Sequence, residues 1–291
     1  MTGATLVHLG DLHFGARVDL DQIAALERQI PELAPDAVIS SGDLTQRARH
    51  GELQRALVFV EQLRRVAPVL VVPGNHDTAW WRSPLGLFGA GPKHAKFRRY
   101  FGDDLGPVLE IPGAVIVGML TAHGLAFGSM TWNLRDLTVK GHLPKPEVER
   151  ARAVFAAGVP GAARVLVVHH NVLRGEISQR MGLARWKQAQ RRLAASGAEL
   201  VLCGHDHQES VGQIDERVVV ATSSTHASMT RGRRPSVFNL ITIESESFSV
   251  RFMRWERASG RFVPGDEAHF ARVRREGRKG GRAEAAVAPT A

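Results

Sequence analysis

The sequence predicts an α/β domain with a layered sheet core. Short apolar, often β-branched runs recur along the chain, and helical patterns lie between several of them. Neither an internal repeat nor a long linker interrupts the series before about Gly260. Continuous apolar runs of this length suit strands buried on both faces. In chain order, strands are predicted in ATLVHLG, DAVISSGD, PVLVVPGN, GAVIVGML, ARVLVVHHN and AELVLCGHD, then in RVVVATSS, SVFNLITIE and FSVRFMRWE. Between them, DLDQIAALERQI and RWKQAQRRLAASG are helix candidates. GELQRALVFVEQLRRV places Leu53, Ala56, Leu57, Val60 and Leu63 on one helical stripe. KPEVERARAVFAAG opens on a proline and closes on a glycine, ordinary helix punctuation. Two long stretches, TAWWRSPLGLFGAGPKHAKFRRYFGDD and TAHGLAFGSMTWNLRDLTVKGHLP, break the alternation. Their length predicts functional lids, and their aromatic content argues against disorder.

The chain has 291 residues, of which 44% are hydrophobic, enough for a sizeable core. No stretch approaches the ~20 apolar residues of a membrane helix. The N-terminus lacks the basic-then-apolar order of a signal peptide. Cys203 is the single cysteine, which excludes an internal disulfide and suits a reducing cytoplasm, the expected compartment. A net charge of +9 favours anionic partners. Part of it lies near the end, in Arg272, Arg274, Arg275, Arg278, Lys279 and Arg282. The organisation read from this is a domain over residues 1–259 and a basic, disordered tail over 260–291. That tail either touches nucleic acid or lipid or simply solubilises the chain.

Each polar cluster falls at the end of a predicted strand: Asp11 and His13, Asp43, Asn75 and His76, His169 and His170, His205 and His207. In open α/β sheets ligands bind beyond the carboxyl ends of the strands. Two buried aspartates with several imidazoles and an amide need cations, and they match the preferences of Mn, Fe or Zn. Seven candidate ligands exceed one tetrahedral site and imply two metals.

The ordered series GDLHFG, SGDLTQRA, PGNHD, HH and GHDH resembles the calcineurin-like metallophosphoesterase superfamily, across residues 10 to 207. The resemblance implies a four-layer α-β-β-α sandwich of two mixed sheets flanked by helices. It also implies hydrolysis of phosphate esters by hydroxide held between two ions, Mn²⁺ or Fe²⁺/Fe³⁺ foremost, with Zn²⁺ also suited. Asp11, His13 and His207 then resemble ligands of one metal, Asn75, His169 and His205 ligands of the other, and Asp43 the bridging carboxylate. His76 resembles the histidine that contacts the phosphate and protonates the leaving group, with Gly74 as the hinge beside it. Three departures stand out. Gly10 replaces a frequent serine, and Asp206 sits between the last two histidines, adding charge to the centre or pointing to solvent. Gln46 occupies the position where the protein phosphatase branch has an aspartate orienting the catalytic histidine.

The single-domain form and the GDLTQRA block look most like bacterial phosphodiesterases, so a small anionic diester such as a cyclic nucleotide is the expected substrate. A UDP-2,3-diacylglucosamine-type pyrophosphatase and a nuclease subunit using the basic surface are the alternatives. Arg47 and Arg49 either hold a phosphate or begin a solvated helix, and His170 is either behind the ligands or substrate-facing. Trp80 and Trp81 stack on a base, meet an acyl chain, or pack a lid. His8 packs; His123 and His226 line the pocket or stay in the core; His50, His94, His142 and His269 are expected on the surface. Oligomeric state is not legible.

Overall fold

The computed structural model describes residues 3–15, 17–78, 92–123, 140–227 and 230–273. Two six-stranded mixed sheets pack face to face. The first has the order β12-β11-β10-β1-β2-β3 and the second β4-β5-β6-β7-β9-β8. In chain order the strands are β1 Ala4–Leu9, β2 Ala37–Ser40, β3 Val69–Val71, β4 Val108–Ile111, β5 Ala114–Gly118, β6 Ala163–Val167, β7 Leu200–Cys203, β8 Ser210–Ile214, β9 Val218–Thr222, β10 Val237–Ile243, β11 Ser247–Glu256 and β12 Arg261–Ala271. The helices are α1 Leu20–Leu33, α2 His50–Arg64, α3 Ala95–Phe101, α4 Lys145–Ala157 and α5 Trp186–Ala195.

Side-chain alternation sorts the apolar runs into three layers of core. On β1, Leu6 points between the sheets while Val7 and Leu9 face the helices; on β2, Ile39 and Val38 divide the same way. The inter-sheet layer joins Leu6, Ile39 and Leu70 to Ile116, Val165, Leu200 and Val219 of the other sheet. Outside the first sheet lie Ile23, Leu26 and Ile30 of α1, Phe59 and Leu63 of α2 and Phe97 of α3. Outside the second lie Val148 and Phe155 of α4 and Leu193 of α5. The fold is thus the expected four-layer sandwich, and truncating any one of these large side chains costs about 2–5 kcal/mol. α1 starts where Asp19 accepts from the amides of Asp21 (3.1 Å) and Gln22 (3.3 Å), an N-cap that satisfies otherwise orphaned donors.

Within the sandwich, β1, β2 and β3 are parallel, as are β5, β6, β7 and β9. This brings the carboxyl ends of β1, β2 and β3 in one sheet beside those of β6 and β7 in the other. His205 donates its amide to Asp11 Oδ2 at 2.8 Å, and the His169 ring bonds the Ser41 carbonyl at 2.9 Å. Both bonds cross from one sheet to the other at this edge.

Two expectations are corrected here. Residues 261–271, read as disordered tail, form β12, paired along β11 from Glu256↔Arg261 to Ser247↔Ala271. The strand is hard to read because it is an edge. It tolerates Pro264 at a register irregularity opposite Met253, and it carries Asp266 and Glu267 on its exposed side, ion-paired at 2.5 Å with Arg254 and Arg251. Arg272, counted with the tail, is buried against Glu199 at 3.2 Å and caps the hairpin onto the second sheet. Residues 274–291 lie outside the described residues, as do Trp80 and Trp81. His94, expected on the surface, is fully buried and bonds the Ala122 carbonyl at 3.0 Å. It lies just before α3, a helix inside a stretch read as a loop. No helix among the described residues is long and apolar enough to cross a membrane.

Candidate metal centre

At the shared edge, five strand ends deliver side chains to one point. Asp11, His13, Asp43 and His207 form one cluster and His169, His170 and His205 a second, each with ligand atoms within 4.8 Å of one another. Asp43 Oδ2 lies between the two, 3.9 Å from His13 Nε2 and 3.4 Å from His169 Nε2. In the first cluster His13 Nε2 and His207 Nε2 approach to 2.9 Å, and Asp11 Oδ1 stands 3.6 Å from His207 Nε2. In the second, Asn75 Oδ1 is 3.0 Å from both His169 Nε2 and His205 Nδ1. The structure therefore brings together all seven residues proposed as ligands.

The donor chemistry fits cations. Asp11 Oδ1 is buried without a hydrogen-bond partner, a costly state for a carboxylate oxygen. Burial lowers His13 to about 4 and His207 to about 3, with Asp43 opposing in both cases, so the two rings are neutral and each has a ring nitrogen able to offer a lone pair. Lone pairs converging with carboxylate oxygens are what a divalent ion satisfies. The two clusters make up a binuclear metal-binding site.

Backbone geometry shows how local sequence aims these groups. Asp11, His13, Asp43, His205 and His207 all adopt left-handed backbone, with φ of 53, 50, 52, 73 and 58°. Outside glycine this costs about 1–2 kcal/mol per residue, and it persists where surrounding structure over-determines it. The sharp reversal turns alternate side chains of a strand end toward the same centre. The neighbouring glycine at 74 serves close approach rather than a hinge. Its φ is not left-handed, and a β-carbon there would collide with the Asp43 carboxylate and amide.

His76 donates its amide to Asp43 Oδ1 at 2.8 Å, and its Nδ1–H points to the Gln46 carbonyl at 2.8 Å. In place of an aspartate side chain at position 46, the main-chain carbonyl of Gln46 orients the ring. The ring lies beside that of His13, at a centroid distance of 4.9 Å. The Ser41 carbonyl fixes the His169 tautomer in the same way, directing Nε2 inward.

Sequence reasoning assigned no role to Asp77, yet its buried carboxylate ties the Asp43 loop to the Asn75 loop. It accepts from Leu44 N (3.1 Å), Thr45 N (2.8 Å), Thr45 Oγ1 (2.9 Å) and Gly74 N (3.0 Å). The signal available was a third polar residue directly after Asn75 and His76. The remaining candidates separate. His170 joins the second cluster and bonds Thr121 Oγ1 at 2.9 Å, whereas Arg47 is exposed on the loop after Asp43. His8 packs between Ser41 and Asn239. His226 is fully buried behind Asp11 with its amide on the Asp11 carbonyl at 3.1 Å, and His123 bonds the Leu120 carbonyl. Asp206 neither joins the centre nor faces solvent; it bonds Ser178 at 2.9 Å.

Without cations the centre compensates its own charge. Burial lowers His169, but the Asp43 charge and hydrogen bond, with Asp11, outweigh it and raise the group to about 9. Folding therefore binds this proton more tightly than the unfolded chain does, where the ordinary value is 6.5. The resulting stabilisation is complete below pH 6.5 and fades as pH rises through about 9. Thermal melts in chelator are expected to show Tm falling across that window, and saturating Mn²⁺ to remove the fall because binding displaces the proton. A chelated protein whose Tm is level across the window would exclude the Asp43–His169 pairing.

The sequence profile of the calcineurin-like phosphoesterase family matches residues 4–209. No curated protein sequence matches the chain significantly. Among solved structures, a purple acid phosphatase from yellow lupin seeds superposes with a TM-score of 0.66 at 12% identity, covering 93% of this chain and 54% of that one. The chain thus spans about half the length of that relative. A dimetal phosphatase from Danio rerio gives 0.65 at 13% identity, covering 93% and 99%. GAP50, the anchor in the inner membrane complex of Plasmodium, gives 0.55 at 11% identity, covering 96% and 91%. At these identities the superpositions show the fold alone, and that fold serves both phosphatases and an anchor.

Proposed function

Because the chain belongs to the calcineurin-like phosphoesterase family, we propose that it hydrolyses a phosphodiester, with a small molecule such as a cyclic nucleotide as substrate and the cytoplasm as its compartment. The observation that carries this reading is the position of Asp43 Oδ2 between two ligand clusters, with His76 bonded to the same carboxylate. In this reading Asp11, His13 and His207 would hold one ion and Asn75, His169 and His205 the other, with Asp43 available to both. When bound, the ions would supply Lewis-acid stabilisation of the phosphoryl oxygens and lower the pKa of water to near neutrality. Mn²⁺ or Fe²⁺/Fe³⁺ suits the nitrogen and oxygen donors, with Zn²⁺ also compatible.

The chain's own residues divide the remaining work. Left-handed strand ends preset the ligands, so little reorganisation accompanies binding. His76, with Nδ1–H committed to the Gln46 carbonyl, donates a proton through Nε2 to the departing oxygen. Arg47, exposed in the loop after Asp43, is free to hold a non-bridging phosphoryl oxygen.

A substrate panel with Mn²⁺ tests the reading: bis-p-nitrophenyl phosphate, p-nitrophenyl phosphate, cyclic nucleotides, a UDP-sugar lipid and single-stranded DNA. Diester cleavage is expected to exceed monoester cleavage, with cyclic nucleotides turned over. Selective cleavage of the lipid would favour the pyrophosphatase, and cleavage of DNA the nuclease. His76→Ala is expected to keep its full metal content by elemental analysis while losing about 10²–10⁴-fold in kcat. Metal loss in that variant would make His76 a ligand instead.

A further inference from the structure

One basic side chain beside the centre has a use that the metal ligands do not explain. Arg231 donates Nε–H to the main-chain carbonyl of Asp206 at 2.7 Å. Asp206 is the residue between His205 and His207, so this bond mounts the guanidinium on the strand end that supplies two ligands. The Asp206 carboxylate lies 3.6 Å from the same nitrogen. Neither Nη1 nor Nη2 has a partner among the described residues, and the side chain is 39% exposed. A guanidinium anchored only through Nε keeps a planar two-nitrogen fork, the geometry that matches a phosphate.

The mount is rigid. Ser178 bonds the Asp206 carboxylate at 2.9 Å, and Gln208 accepts from the Ile177 amide at 3.0 Å. Gly232, with φ of 66°, packs so closely on Ile177 that a β-carbon would stand 2.6 Å from its side chain. Arg234 closes the arrangement on Glu176 at 3.0 Å. The 174–180 turn and the 230–234 loop thus clamp each other and the 205–208 strand end, and Arg231 projects from that clamp. Beside it, His207 is a candidate ligand left 26% exposed at its side chain, so this flank of the centre is open. The Arg231 charge acts on His207, behind burial, His13 and Asp43 in size.

We infer that Arg231 is an anion-binding, specificity-determining residue on the His207 flank, and that the diester cleaved here carries a second phosphate engaged by the Arg231 fork. This rests on the phosphodiesterase reading and narrows it to diesters with an additional anionic group, so a cyclic nucleotide bearing a second phosphate is preferred over one with its cyclic phosphate alone. Arg47, exposed on the loop after β2, is the arginine proposed above for the scissile phosphoryl group, so in this reading the two arginines serve different phosphates.

The test uses two chromogenic diesters that differ in one group: thymidine 5′-(p-nitrophenyl phosphate) with and without a 3′-phosphate, on Mn²⁺-loaded protein. Calorimetry in parallel compares thymidine 3′,5′-bisphosphate with thymidine 5′-phosphate. The 3′-phosphate is expected to raise kcat/KM, and to tighten binding, by about tenfold, the worth of one charge-assisted contact. Arg231→Gln should bring both ratios close to one, and Arg231→Lys should keep part of each, since lysine retains charge without the fork. Wild-type ratios near one, or ratios that Arg231→Gln leaves intact, overturn the inference. If no diester is cleaved but the bisphosphate preference persists and depends on Arg231, the phosphodiesterase reading falls and the anion subsite stands.

Discussion

Asp43→Asn is expected to abolish turnover of every phosphoester and to halve the bound metal or worse. Asp43 Oδ2 stands within 3.9 Å of a ring nitrogen in each cluster, and Oδ1 is already committed to the His76 amide. The amide replacing it removes the charge that balances both ions while leaving them a buried, partly compensated site. Removing one partner of a buried charge pair costs about 3–5 kcal/mol, or roughly 10²–10⁴ in rate if expressed in the transition state. In the metal-free protein burial raises the Asp43 carboxyl, but the charges of His169, His76 and His13 and the His169 hydrogen bond outweigh it and hold the group well below the usual range. The variant should therefore also lose the pH-dependent fall in stability of the chelated protein. Metal stoichiometry by elemental analysis together with kcat on bis-p-nitrophenyl phosphate decides the matter. Near-normal turnover with full metal would remove Asp43 from the centre.

The second large effect belongs to Asp77, which touches no candidate ligand atom. Its carboxylate gathers four donors from the two loops that carry Asp43 and Asn75. Asp77→Ala orphans three buried amides and leaves the Thr45 hydroxyl only its 3.3 Å bond to the His76 carbonyl, at about 1–3 kcal/mol for each donor that water does not reach. The expected result is a loss of several kcal/mol, lowering Tm by roughly 10 °C in a chain of this size. Metal affinity should weaken with it, because the Asn75 loop is no longer pinned. Burial, and then the Asp43 charge, raise Asp77 to about 6, so in chelator it is protonated below that pH. Asp77→Asn, which keeps one acceptor oxygen, should recover part of the stability. A melt of Asp77→Ala within a degree or two of the wild type would mean the loops are held by something else.

Much of this molecule was legible in its residues. Nine predicted strands appear where the apolar runs lie, because a run of β-branched residues bounded by turn formers is a local property. The polar residues at their ends were legible for the same reason: a buried strand that stops at Asp, Asn or His is a local anomaly with a chemical explanation. β12 was not legible, because an edge strand is specified by its partner. Pro264, Asp266 and Glu267 read as breakers until β11 supplies the pairing. His94 read as a surface residue because its acceptor, the Ala122 carbonyl, lies on a segment nearly thirty positions away.

The sequence by itself determined the layered α/β class, the order of the strands along the chain and the inventory of donors. Tertiary structure alone decided which of those donors meet, because Asp11 and Asp43 come from one sheet and His169 and His205 from the other, and only packing sets the distance between sheet edges. It also decided what orients His76 and His169. Both are held by main-chain carbonyls, of Gln46 and Ser41, and a carbonyl is the same group on every residue, so no spelling of the sequence can announce it.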